Sequence, residues 1–183
     1  AIGQGDTQTN VVQMARMVAA FANGGTLYQP YIVRQVGGID GTELQQQSEP
    51  LVLSQLDFDP IVYDVVREGM CEVPTNERLG TSYIIFNDAP YTSCGKTGTA
   101  QAGDATSGIP PHSWYVTYAP AENPQVAVAV VVPTSREGSE VATPIARRIL
   151  DNYFGVDWAP FPEWWENPYT FVPPPQGVTG TAQ

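Results

Sequence analysis

The chain has 183 residues, 42% of them hydrophobic, which is enough for one domain with a sizeable core and too apolar for a disordered chain. Its 8 basic and 19 acidic residues leave a net charge of -11, which repels phosphate backbones and anionic lipid headgroups and argues against nucleic acid as a partner. The longest apolar run, Val126 to Val132, falls far short of the roughly 20 residues that span a bilayer, so no membrane span is expected in this chain.

The first residues, Ala1-Ile2-Gly3-Gln4-Gly5, carry neither an initiator methionine nor the charged segment and apolar core of a secretory signal, and they read as the interior of a longer protein. Thr9 to Asn23 places Val12, Ala15, Met17, Val18, Ala19, Ala20 and Phe21 on a broad apolar face, which predicts a helix with Asn10 and Gln13 as a capping pair. Asn23-Gly24-Gly25 should stop it, because these residues tolerate left-handed geometry. Leu27 to Val36 reads as extended, and the polar, Gln-rich stretch Gly37 to Pro50 as a loop or hairpin arm. A second helix is expected from Asp59 to Glu72, with Pro60 in its first turn and Ile61, Val62, Val65, Val66 and Met70 at helical spacing.

After a turn-rich stretch comes a strand carrying Lys96, and then His112–Ala119 and Gln125–Pro133, two strands joined by the turn Pro120-Ala121-Glu122-Asn123-Pro124. The second is apolar on both faces, which calls for helices above and below it. A last helix, Val141 to Phe154, should end at Gly155, with Arg147 and Arg148 in its later turns where positive charge suits the dipole. The expected fold class is α/β, an antiparallel sheet flanked by helices, over residues 1–155. Residues 156–183 are rich in proline and tryptophan and read as a tail, in which Trp158, Trp164 and Trp165 either meet a partner or, the commoner fate, pack back on the body.

Cys71, Cys94 and the single histidine, His112, form no metal-ligand spacing, so neither a metal nor another cofactor is expected. A disulfide between the two cysteines is open to an oxidising compartment, but two buried thiols are the expectation, with Cys94 a small buried filler. Of the 8 basic residues Lys96 is the only lysine, and it lies in Ser93-Cys94-Gly95-Lys96-Thr97-Gly98-Thr99-Ala100-Gln101.

Three patterns overlap there. A phosphate loop would need glycine where Pro90 stands, and a helix where Gly98, Gly103, Gly108 and Pro110 follow. A Ser-x-x-Lys pair would need Ser93 and Lys96 on one face of a helix start, whereas in a strand residues three apart point to opposite faces. Lys-Thr-Gly-Thr suits a strand: Lys96 goes to one side, Thr97 and Thr99 share the other, and the two hydroxyls with the nearby ammonium can hold a carboxylate. Gly98 lets a substrate backbone lie alongside, and the Thr99 N–H can polarise an acyl oxygen. A bare Lys-Thr-Gly would more often be a β-suited strand with a solvated lysine, so the surroundings decide.

Those surroundings strongly resemble class B penicillin-binding proteins, the peptidoglycan D,D-transpeptidases. The resemblance rests on CGKTGTAQ at Cys94–Gln101, IGQGDTQTNVVQMARMVAAFANGGTLYQPYIV at Ile2–Val33, VREGMCEV at Val66–Val73, GTS at Gly80–Ser82, HSWYVTYAPAENPQVAVAVVVP at His112–Pro133 and TPIARRILDNYF at Thr143–Phe154. It is closer to the cell-elongation type than to the division type. It implies the penicillin-binding, serine β-lactamase-like fold. It also implies a role outside the cytoplasmic membrane in a parent protein anchored by an N-terminal helix. Lys96 would help proton traffic beside the serine of a Ser-x-Asn loop. Thr97 and Thr99 would bind the terminal carboxylate of a D-Ala-D-Ala stem peptide or a β-lactam, and the Thr99 N–H would form half of an oxyanion hole.

Beyond Ser93–Lys96 these 183 residues hold no second Ser-x-x-Lys, so the family's nucleophile-bearing motif and its Ser-x-Asn motif are both missing. The expectation is therefore the C-terminal portion of a transpeptidase domain, inactive alone, whose missing N-terminal part is supplied in cis or by a companion chain. The rival readings are a non-catalytic peptidoglycan- or penicillin-binding module and a β-lactam-hydrolysing or -sensing relative. His112 is expected to be hydrogen-bonded structurally rather than to touch substrate, and Trp114 and Tyr118 to belong to the core.

Overall fold

A computed structural model describes residues 8–37, 44–103, 106, 108–160 and 162. At its centre is an antiparallel sheet of three strands, β5 (Cys94–Ala100), β6 (His112–Ala119) and β7 (Val126–Val132), in that order, so β5 lies at one edge. Strand alternation divides its side chains between two covered faces. Tyr115, Val128 and Val130 pack with Phe86, Ala142, Ala146 and Leu150 on one face. Val116, Tyr118 and Cys94 pack with Val18, Met70 and Cys71 on the other. Helices α3 (Tyr83–Phe86) and α4 (Ala142–Phe154) supply the first cover, and α1 (Val11–Ala22) and α2 (Pro60–Thr75) the second. The hairpin and the two-sided burial of its second strand are as the sequence predicts.

Local chemistry accounts for the helix ends. The Asn10 side chain accepts from the Gln13 N–H at 2.9 Å and the Gln13 side chain accepts from the Asn10 N–H at 2.9 Å, a reciprocal cap at the start of α1. At its end Gly24 and Gly25 both have positive φ, and a side chain on Gly25 would collide with the Leu56 carbonyl. Asp59 caps α2 by accepting from the N–H groups of Ile61 and Val62. The helix runs past the expected Glu72 to Thr75, taking Pro74 into its final turn. Gly155, in the left-handed conformation, closes α4.

The stretch 26–55 folds as a two-part arm. Strand β1 (Thr26–Tyr28) pairs with β4 (Val52–Gln55), and β2 (Gln35–Gly37) with β3 (Leu44–Gln47), both antiparallel, so the expected hairpin arm is present but the extended segment over 27–36 is broken around Pro30.

One expectation needs correction. Cys71 and Cys94 are not two buried thiols: they form a disulfide that ties α2 to the first residue of β5. Both lie on the face of the sheet that α2 covers, so packing brings together sulfurs 23 residues apart. The apolar residues of α2 divide between solvent and core: Ile61 is 76% and Val65 63% exposed, while Met70 turns inward with Tyr63, Arg67 and Cys71. Arg147 is buried and donates to Asp151 Oδ1 (2.7 Å), Asp88 Oδ1 (2.8 Å) and the Ile85 carbonyl (2.6 Å). Among the tail tryptophans, Trp158 lies under the Arg148 guanidinium, 5.1 Å from ring centroid to Cζ, and Trp164 and Trp165 lie outside the described residues.

Candidate active-site strand

The residues singled out in the sequence lie together on β5. Lys96 pairs with Val116 and Gly98 with Trp114, on the α1–α2 face. Thr97 pairs with Tyr115 and Thr99 with Ser113, on the face that α4 covers. The ammonium and the two hydroxyls therefore leave an edge strand on opposite sides, as alternation requires. Lys96 is exposed, and its Nζ donates to the Thr97 carbonyl at 2.7 Å. Ser93 is buried immediately before the strand and outside any helix, so it does not share a helical face with Lys96.

Around the strand the structure leaves little slack. Gly95 has the Tyr115 hydroxyl above it, and an added Cβ would lie 2.6 Å from that oxygen. The same hydroxyl is 3.1 Å from Ser82 Oγ. At Gly98 an added Cβ would come within 3.1 Å of Trp114 Cβ. The loop into α4 crosses at this level: Gly138 N donates to Thr99 Oγ1 at 3.3 Å, and any side chain at 138 would strike the backbone of Gly98 and Trp114. One partner was not foreseen. Thr81 Oγ1 lies 2.8 Å from Thr97 Oγ1. Its only sequence signal is its place in Gly80-Thr81-Ser82.

Of the other residues considered, His112 Nδ1 accepts from the Thr134 N–H at 3.0 Å, a structural bond at the end of β6. Tyr118 is buried in the core and Trp114 partly so. Cys94 is buried but in the disulfide. Among the described residues no cluster of three or more His, Cys, Asp or Glu side chains is placed to hold a metal ion, and no helix is long and apolar enough to cross a membrane.

A family model for the penicillin binding protein transpeptidase domain matches residues 1–151. The chain belongs to this family. Among its transpeptidase relatives, peptidoglycan D,D-transpeptidase MrdA of Haemophilus influenzae is 30% identical over 164 residues, covering 83% of this chain and 25% of the relative. Peptidoglycan D,D-transpeptidase PbpA of Mycobacterium tuberculosis is 32% identical over 157 residues, covering 82% of this chain and 30% of the relative. Penicillin-binding protein A from M. tuberculosis, solved as an imipenem acyl-enzyme complex, superposes with a TM-score of 0.66 at 29% identity, over 84% of this chain and 32% of that one. The D,D-transpeptidase domain of a peptidoglycan glycosyltransferase from Eggerthella lenta gives 0.65 at 32% identity, over 81% of this chain and 32% of that one. The chain is thus part of a transpeptidase domain and spans 25% to 30% of these two curated relatives' length.

Proposed function

We propose that this chain forms the Lys-Thr-Gly wall of a peptidoglycan D,D-transpeptidase that works through an acyl-serine intermediate and is blocked by β-lactams. The observation that carries the reading is the edge strand itself: Lys96 exposed on one side, Thr97 and Thr99 on the other, and Gly98 bare between them. An edge strand offers unpaired backbone groups to an extended peptide, and two hydroxyls on one side of it suit a terminal carboxylate such as that of D-Ala-D-Ala. Thr97 and Thr99 bind that carboxylate, and the Thr99 N–H contributes to the oxyanion hole. Lys96 holds a proton path at the neighbouring serine of a Ser-x-Asn loop. Loss of one oxyanion donor typically costs about a hundred- to thousandfold in rate.

The nucleophile comes from outside the 183 residues, in cis or from a companion chain, because Lys96 is the only lysine and Ser93 beside it is buried. In this reading residues 1–155 are the C-terminal portion of the transpeptidase domain and 156–183 a tail, and the enzyme acts at the outer face of the cytoplasmic membrane in cell elongation. Intact-mass measurement after incubation with penicillin tests the reading. The adduct is expected on a serine outside residues 1–183, and this chain alone should gain no mass. An adduct on Ser93 would sink it.

A further inference from the structure

The hydroxyl of Thr81 belongs to neither the Lys-Thr-Gly-Thr pattern nor the sheet, yet it meets Thr97 Oγ1 at 2.8 Å, the usual length of an O–H···O bond. We propose that Thr81 is a positioning residue: it donates its proton to Thr97 Oγ1, so that the Thr97 O–H is left to donate to the ligand's carboxylate. The inference rests on the reading that Thr97 binds a carboxylate. A hydroxyl has one proton to give. In the pair, one hydroxyl spends its proton on the other, and an anion beside Thr97 selects the order Thr81 to Thr97 to carboxylate. Each donation polarises the next, which strengthens the terminal bond.

The placement of Thr81 is held from both sides. Gly80 N donates to the Asn76 carbonyl at 2.8 Å, and a side chain on Gly80 would clash with the carbonyls of Val73 and Asn76. Ser82 N donates to the Val73 carbonyl at 3.1 Å, and buried Ser82 Oγ lies 3.1 Å from the Tyr115 hydroxyl, which covers Gly95 of the strand. The Cys71–Cys94 disulfide closes the segment that contains the Gly80 and Ser82 backbone bonds. Thr81 is an exposed side chain on a fixed backbone, and its hydroxyl is delivered to β5 without a search through loop conformations.

The test uses the assembled transpeptidase, this chain together with the serine-bearing segment, in four forms: wild type, Thr81→Val, Thr81→Ser and Thr97→Val. Penicillin and its carboxylate methyl ester are the probes. The dissociation constant of the non-covalent complex and the acylation rate constant within it are measured separately. Thr81→Val should weaken penicillin binding about five- to tenfold, the worth of one neutral hydrogen bond, with the acylation rate constant unchanged. Thr81→Ser should restore wild-type affinity, and the methyl ester should not distinguish Thr81→Val from wild type. If Thr81→Val binds penicillin like wild type while Thr97→Val loses affinity, the positioning role is overturned and the carboxylate site stands. If Thr81→Val weakens both probes alike, or Thr81→Ser fails to rescue, Thr81 is structural only and the proposal is again overturned. If Thr97→Val is itself silent, the carboxylate reading fails and takes this inference with it.

Discussion

On the α4 side of the sheet, Arg147 and Asp151 have side chains 4% and 0% exposed, and their charges are answered by each other, by Asp88 and by the Tyr91 hydroxyl, 2.7 Å from Asp151 Oδ1. On the α1–α2 side no such ionic cluster is seen among the described residues, and the link nearest the Lys-Thr-Gly strand is the covalent Cys71–Cys94 bond. The two sides of β5 therefore answer to different stresses. Thr97 and Thr99 lean on a face whose integrity depends on buried polar pairing, and Lys96 on a face pinned by a redox-sensitive bond.

The largest stability effect should come from the first side. Arg147→Ala leaves Asp151 without its cation in the core, and removing one partner of a buried pair costs about 3–5 kcal/mol. At roughly 2–4 °C per kcal/mol for a chain of this size, calorimetry should record a fall in Tm of about 10 °C. On the second side, replacing both Cys71 and Cys94 by Ala reopens a segment of sequence separation 23, and the chain-entropy model puts the loss at about 3 kcal/mol. Denaturant titration should find that a dithiol reductant weakens the wild type by a similar amount and leaves the double variant unchanged. Equal sensitivity of both to reductant would break the contrast.

Alkaline pH should weaken the α4 side through Tyr115 and Tyr91, while burial also pushes the Tyr118 hydroxyl up on the other side. Burial pushes the Tyr115 hydroxyl up to about 12 from its ordinary value of 10.0. The folded chain then keeps a proton that the unfolded chain releases, so stability is full below pH 10 and falls as pH rises towards 12, by about 2 kcal/mol from this group. Tyr91 is displaced in the same direction, by burial and by its bond to Asp151. Tyr115→Phe should flatten part of this alkaline loss in a pH series of unfolding curves.

How much of this was legible in the sequence follows the range of the interactions. Asn10 and Gln13 are three residues apart, so the α1 cap could be read directly, as could the hairpin turn 120–124 and the stop at Gly155. The position of Lys96, Thr97, Gly98 and Thr99 on one strand followed from local glycine content and the strands that come next. The disulfide was not legible, because two cysteines without a spacing rule carry no pairing information until α2 lies on the sheet. Periodicity identified an apolar stripe on α2 but not which face packs, and the face that packs carries Arg67 and Cys71 rather than Ile61 and Val65. Arg147 suited the helix dipole in sequence, and only the fold supplies Asp88 and Tyr91 around it. Thr81 reaches Thr97 from 16 residues away, across a turn that no local pattern foretells.

The claim that β5 lines the reaction centre is tested most directly by the rate at which penicillin acylates the assembled transpeptidase carrying Lys96→Ala. The side chain is exposed, so Tm should be unchanged, and the acylation rate should fall at least about a hundredfold, the lower range for loss of a proton-transfer group. A rate within about threefold of wild type would lie well below that range and would show that Lys96 takes no part in the chemistry.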